Sequence, residues 1–184
     1  MTTTTCSCEQ PLNDDILSAI RQRFDYMINR HCRVLFVRMD IRFPDGTHPH
    51  TPNRTVSRFT ASMCRTLRNH SLNPQYVWVR EQACSENPHY HFIWLLDGTK
   101  RRHPEFLFEA ADRLWAKHLG LNHAGGLIER CWRGGNGILL ERNNGDLSTR
   151  YSDCINRASY LAKTYTKGQA GLNTHEWAAS QCPH

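Results

Sequence analysis

An α+β fold is predicted for this chain, with a ferredoxin-like or RRM-like βαββαβ core built around one antiparallel sheet. Three observations predict it. Runs rich in β-branched and aromatic residues alternate with segments of helical periodicity. Two of those runs, YVWVREQA and HYHFIWLL, are separated only by the turn-like CSENP, which makes them an antiparallel hairpin. A further helix and short glycine-bounded strands then precede a last helix.

An extra N-terminal helix comes first, over LNDDILSAIRQRFDYMINRH. Asn13 can cap it, Asp14 and Asp15 suit its positive end, and Ile16, Ile20, Phe24 and Met27 form an apolar stripe. CRVLFVRMDIRF is the first strand, closed by the turn PDG. A second helix starts at Arg54 or Thr55, with Val56, Phe59, Met63 and Leu67 inward and Arg58, Arg65 and Arg68 on its other surface. The hairpin follows, then a third helix with Pro104 in its first turn and Phe106, Ala110, Leu114 and Leu119 on one side. GGLIERCW and GILLE are short strands, and the last helix spans about Leu147 to Thr166 and carries a tyrosine. The glycines between Gly120 and Gly145 match no dinucleotide or phosphate-loop pattern. One domain is expected across 13–168, with tails at 1–12 and 169–184.

The length of 184 residues and a hydrophobic fraction of 39% suit one packed domain. The runs VLFV and FIWLL are far shorter than the ~20 residues of a membrane span. The N-terminus has neither a basic start nor an apolar stretch, so a cytoplasmic protein without a membrane partner is expected. The net charge of +6 leans towards a polyanionic partner. Eight cysteines without a CxxC pair read mostly as free thiols.

Strand alternation puts His89, His91, Ile93 and Leu95 on one face and Tyr90, Phe92 and Trp94 on the other. An HxH pair alone is weak evidence, because polar residues near a strand start are common. Glu81 ends the neighbouring strand as His89 begins this one, so a carboxylate and two imidazoles can meet. That donor set suits Mg²⁺ or Mn²⁺. Asp40, within the first strand, and Gln82, beside Glu81, are the further candidates for metal binding or support. On the last helix, Tyr160, Lys163 and Lys167 lie near one face. A phenol with its ordinary pKa of ~10 is a poor nucleophile unless positive charge stabilises its anion.

PHYHFIWLL, with VREQ before it and YLAK on a late helix, resembles the HUH superfamily, the His-hydrophobic-His endonucleases of rolling-circle replication and plasmid mobilisation. It is most similar to inovirus-type replication proteins and their bacterial prophage relatives, from about Cys32 to Gly168. The resemblance implies nicking and rejoining of single-stranded origin DNA through a 5′-phosphotyrosine. It implies Tyr160 as nucleophile with Lys163 beside it, and a metal on His89, His91 and Glu81. Lys167, Arg38, Arg42, Arg80 and Arg157 are candidates to hold the DNA, and a host helicase and polymerase are the implied partners. Tyr165 stands five residues after Tyr160, off its helical face, so a single nucleophile is expected. The alternatives are a DNA-binding regulator on the same fold and a metal-dependent nuclease that activates water.

Overall fold

The computed structural model describes residues 12–47, 52–82, 87–131, 135–163 and 175–182. Its strands are β1 (Arg33–Ile41), β2 (Gln75–Glu81), β3 (His89–Asp97), β4 (Ile128–Glu129), β5 (Ile138–Glu141) and β6 (Trp177–Ala179). They form one sheet in the order β4-β1-β3-β2-β6, with β5 also on β1. Every pairing is antiparallel. Helix α2 (Pro52–Asn69) carries the chain from β1 past β3 to β2, and α3 (Glu105–Leu119) carries it from β3 to the far side of β1. This is the expected split-βαβ plan. Helix α1 (Asp14–Arg30) precedes it and α4 (Leu147–Ser159) follows.

The sheet is covered on both faces. Leu35, Val37, Met39, Trp78, Tyr90, Phe92 and Trp94 pack beneath α2 and α3. Val34, Phe36, Val77, Val79, Ile93 and Leu95 pack beneath α1 and α4. A βαββαβ core alone carries its helices on one face of the sheet and leaves the other available; here α1 and α4 cover that second face. The runs VLFV and FIWLL are apolar on successive residues because both faces of β1 and β3 are buried along most of their length. Asn13 caps α1 as expected, its Oδ1 accepting from Ile16 N at 3.1 Å. Ile16, Ile20, Phe24 and Met27 are its buried stripe.

Several boundaries differ from the periodicity. Helix α2 begins at Pro52, where a missing N–H costs nothing. In α3 the inward face is centred on Leu107, Phe108, Ala111 and Trp115, while Phe106 and Leu119 are only partly buried. Helix α4 stops at Ser159 and gives way to a 3₁₀ turn, Tyr160–Ala162; the rest of the stretch expected to be helical, from 164, lies outside the described residues. Within the segment expected as a tail, β6 extends the sheet beyond β2, and Ser180 Oγ donates to Gln75 Oε1 at 2.6 Å. Residues 1–11 and 164–174 lie outside the described residues. Among the described residues no helix is long and apolar enough to cross a membrane.

Phe92 is fully buried, stacked parallel to Trp94 at 5.8 Å between ring centroids and edge-on to Phe59 at 6.1 Å. Phe92→Ala is expected to cost about 3–5 kcal/mol. A lower urea midpoint with an unchanged denaturant slope would show it.

Candidate functional site

On the face beneath α1 and α4, all three central strands change from apolar to polar at the same end. Along β1, Val34 and Phe36 give way to Arg38 and Asp40. Along β2, Val77 and Val79 give way to Glu81. Strand β3 runs the other way, from His89 and His91 to Ile93 and Leu95. Register pairs Asp40 with His91 and Glu81 with His89. Direct antiparallel partners share a face. The face of Asp40, open in the sequence, is thereby the face of the histidines.

His91 is the centre of the group. Glu81 Oε2 reaches diagonally past its direct partner to His91 Nε2, at 2.5 Å, while Asp40 Oδ1 lies 2.9 Å from Nδ1 on the other side. Burial opposes charge on this imidazole, but the Asp40 and Glu81 carboxylates on its two sides outweigh it, and its pKa is pushed up to about 9. Burial likewise opposes charge on Asp40, yet His91 and Arg38 hold its carboxyl below the usual carboxylate range. The Asp40–His91 contact is close enough for an ion pair but poorly aligned as a hydrogen bond. Both facing atoms, His91 Nδ1 and Asp40 Oδ1, are therefore buried without a well-formed hydrogen bond. His89 is the opposite case: burial first, then Arg42 and His91, lower its pKa and favour the neutral imidazole.

A different layer brings the phenol. Leu161 and Ala162 are buried in the α1/α4 core, and Asn13 N donates to Ala162 O at 2.8 Å. Leu12 and Lys163 form a β-bridge beside it. With those two residues inward, Tyr160 turns outward and is 37% exposed, its ring edge-on to His91 at 5.8 Å. The Arg38 guanidinium lies over the Tyr160 ring at 5.1 Å and Lys163 Nζ at 4.6 Å. Lys163 thus reaches the tyrosine from beyond the 3₁₀ turn, not from the helical face expected for it. Tyr160 joins His91, Glu81, Asp40, Arg38 and Lys163 in one cluster.

The remaining expected residues are scattered. Arg42 pairs with Glu129 at 2.8 Å on the rim near His89. Arg157 donates to Gly135 O at 2.8 Å, tying α4 to the loop between β4 and β5. Alternation along β2 turns Arg80 to the α2/α3 face, where it lies across from Tyr90 and donates to Gln82 Oε1. Lys167 lies outside the described residues.

Two contributors were not foreseen. Asn136 fills the gap between β4 and β5 on the edge of β1: its Oδ1 accepts from Arg38 N at 2.9 Å and its Nδ2 donates to Arg38 O at 2.7 Å. A side-chain amide there replaces a missing strand residue and fixes the backbone of Arg38. Its only sequence signal is an amide in the glycine-rich RGGNG, which reads as a turn. Cys131, at a left-handed φ of 49°, turns its thiol towards Asp40; burial and that carboxylate push it up to about 12, so it remains a thiol.

The donor types in the cluster, imidazole and carboxylate, suit a hard divalent ion. The geometry is drawn in on His91, however. Among the described residues no three His, Cys, Asp or Glu side chains form a group able to hold a metal as they stand.

Residues 1–174 match the family described as the YagK/YfjJ C-terminal domain. The chain is 26% identical over 180 residues to YfjJ of Escherichia coli (strain K12), a protein described as uncharacterized, covering 80% of this chain and 85% of that one. Among solved structures, the catalytic domain of the adeno-associated virus type 5 Rep protein is 11% identical, covers 68% of this chain and 97% of its own, and has a TM-score of 0.40.

Removing the Asn136 amide strands both backbone groups of Arg38. Asn136→Ala is expected to cost about 2–3 kcal/mol and to speed amide exchange at Arg38, read by hydrogen exchange. Because the folded pKa of His91 lies above its ordinary 6.5, its stabilising contribution is complete below pH 6.5 and fades as pH rises through about 9. Denaturation midpoints across that range are expected to fall less steeply for Glu81→Gln than for the native chain.

Proposed function

The chain belongs to the YagK/YfjJ C-terminal domain family, and we propose that it nicks and rejoins single-stranded DNA through a covalent bond to Tyr160. The observation that carries this reading is the placement of a partly exposed phenol against His91, with Arg38 and Lys163 over its ring. A tyrosine that only packed would not need two cations beside it. The HxH, acidic and YxxK patterns, read together, favour the HUH type of endonuclease.

In the proposed reaction Tyr160 Oη gives up its proton and attacks the scissile phosphorus. The Oη–P bond forms, the P–O3′ bond breaks, and the departing 3′ oxygen takes up a proton. The energy of the broken ester is kept in the phosphotyrosine, so a 3′-hydroxyl can reverse the step. Arg38 and Lys163 stabilise negative charge on the phenol oxygen and the phosphoryl group in transit. Arg42 and Arg157, on the rim, hold the strand through its phosphates. A Mg²⁺ or Mn²⁺ ion on His89, His91 and Glu81, with Asp40 in support, would supply withdrawal of charge from the scissile phosphate. To receive it His91 must be neutral and Glu81 must turn from it. In a rolling-circle setting the released 3′-hydroxyl would prime a host polymerase, with a host helicase opening the duplex.

The test uses a randomised pool of single-stranded oligonucleotides, labelled at the 3′ end, with Mn²⁺ or Mg²⁺ present. After denaturation the label is expected to stay on the protein and to be absent with Tyr160→Phe. Lys163→Ala and Arg38→Ala are expected to slow adduct formation by about 10²–10³-fold. Free cleavage products that persist with Tyr160→Phe would instead identify a nuclease using water. Binding without any product would identify a regulator.

A further inference from the structure

We propose that the exposed face of α2 binds the backbone of duplex DNA, on the layer of the protein opposite the tyrosine cluster. This inference does not depend on the nicking reading. Arg54, Arg58, Arg65 and Arg68 are all exposed on α2 and fall within an arc of about 80° at 100° per residue. Helix α2 contains no acidic residue. Its buried residues Val56, Phe59, Met63 and Leu67 are on the opposite side, against the sheet, so the four guanidinium groups point away from the protein.

These arginines differ from others on the surface. Arg33, Arg42, Arg102, Arg130 and Arg150 each have a carboxylate within 4.0 Å. Among the described residues, none of the four on α2 has one. Lys117, exposed on α3 beside His118, adds to the same field: after burial, Arg58 and Lys117 are what lower the His118 pKa, and His118 Nε2 lies 3.0 Å from Ser62 Oγ of α2. A row of like charges without neutralising partners raises the energy of the free protein, and a polyanion removes that cost.

Spacing and chemistry select the polyanion. The row divides into two pairs, Arg54/Arg58 and Arg65/Arg68, whose midpoints are about 16 Å apart at 1.5 Å per residue. A rigid pair of basic clusters at that separation can contact phosphates on both sides of a major groove about 12 Å wide. Ala61 between them keeps the centre low. A single strand is bound through aromatic stacking as well as charge, and no aromatic residue is exposed on this face of α2. An acidic protein partner would call for an apolar centre, where this row has only Ala61. Because α2 lies under one face of the sheet and Tyr160 over the other, duplex and single strand can be held at once.

The test measures binding of a fluorescent blunt duplex of about 20 base pairs, long enough to span the row, as salt is varied. The proteins compared are the full chain and its Arg58→Ala/Arg65→Ala/Arg68→Ala variant. Alanine keeps the helix, and circular dichroism checks this. The variant is expected to bind duplex at least tenfold more weakly, with the slope of log affinity against log salt reduced by about 2.7. Adduct formation on short single strands by Tyr160 is expected to stay unchanged. Equal duplex binding by both proteins, no duplex binding by either, or displacement of bound duplex by a short single strand would overturn the proposal. So would a variant that loses binding to polyglutamate but not to duplex. The adduct assay is read separately, so failure of the nicking reading leaves this result interpretable.

Discussion

The pairing of Asp40 with His91 across β1 and β3 is the constraint on which the cluster depends. It puts a carboxylate and an imidazole on one face without any help from loops. Glu81 then reaches His91 from the next strand, so three adjacent strands contribute to one buried charge network. A slip of one residue in β1 would send Asp40 to the α2/α3 core and bring Met39 or Ile41 to the histidine. The apolar residues further along each strand prevent it. Val34 and Phe36 must lie under α1 and α4, and Leu35 and Val37 under α2 and α3.

A sheet with two buried faces also explains how a polar cluster can be both rigid and accessible. Helices α1 and α4 cover the apolar part of their face, and the polar residues occupy the end they leave. The 3₁₀ turn after α4 closes one side of this gap by burying Leu161 and Ala162 while Tyr160 points outward. Asn136 does the corresponding work on the sheet edge. It completes the hydrogen bonds of β1 at Arg38, where β4 has ended and β5 has not begun. The long arginine side chain over Tyr160 therefore starts from a backbone that is fully hydrogen-bonded.

The parts of this arrangement that follow from local pattern were legible in the sequence. The element order, the hairpin, the cap at Asn13 and the shared face of His89 and His91 all rest on short-range periodicity or turn chemistry. What was not legible depends on pairing between distant segments. The face of Asp40 is set by its register with β3, whereas the turn of Arg80 away from Glu81 follows from alternation within β2 alone. Asn136 acts through a gap between two short strands that no single-strand pattern reveals. The second helical layer was written in VLFV and FIWLL, since a run apolar at every position signals burial on both sides. The end of α4 had no such signal: INRASYLAK keeps a helical pattern past Ser159, and the turn arises where Leu12 and Asn13 take the backbone of Ala162 and Lys163.

That contact gives the start of the chain an influence out of proportion to its size. Leu12 and Asn13 hold the backbone at Ala162 and Lys163, two and three residues after the phenol, while Asn13 also caps α1. The aim of Tyr160 is consequently hinged to the N-terminal residues. Loss of those two contacts would release the backbone that follows the tyrosine, while the pairings that place the histidines in the sheet involve neither Leu12 nor Asn13.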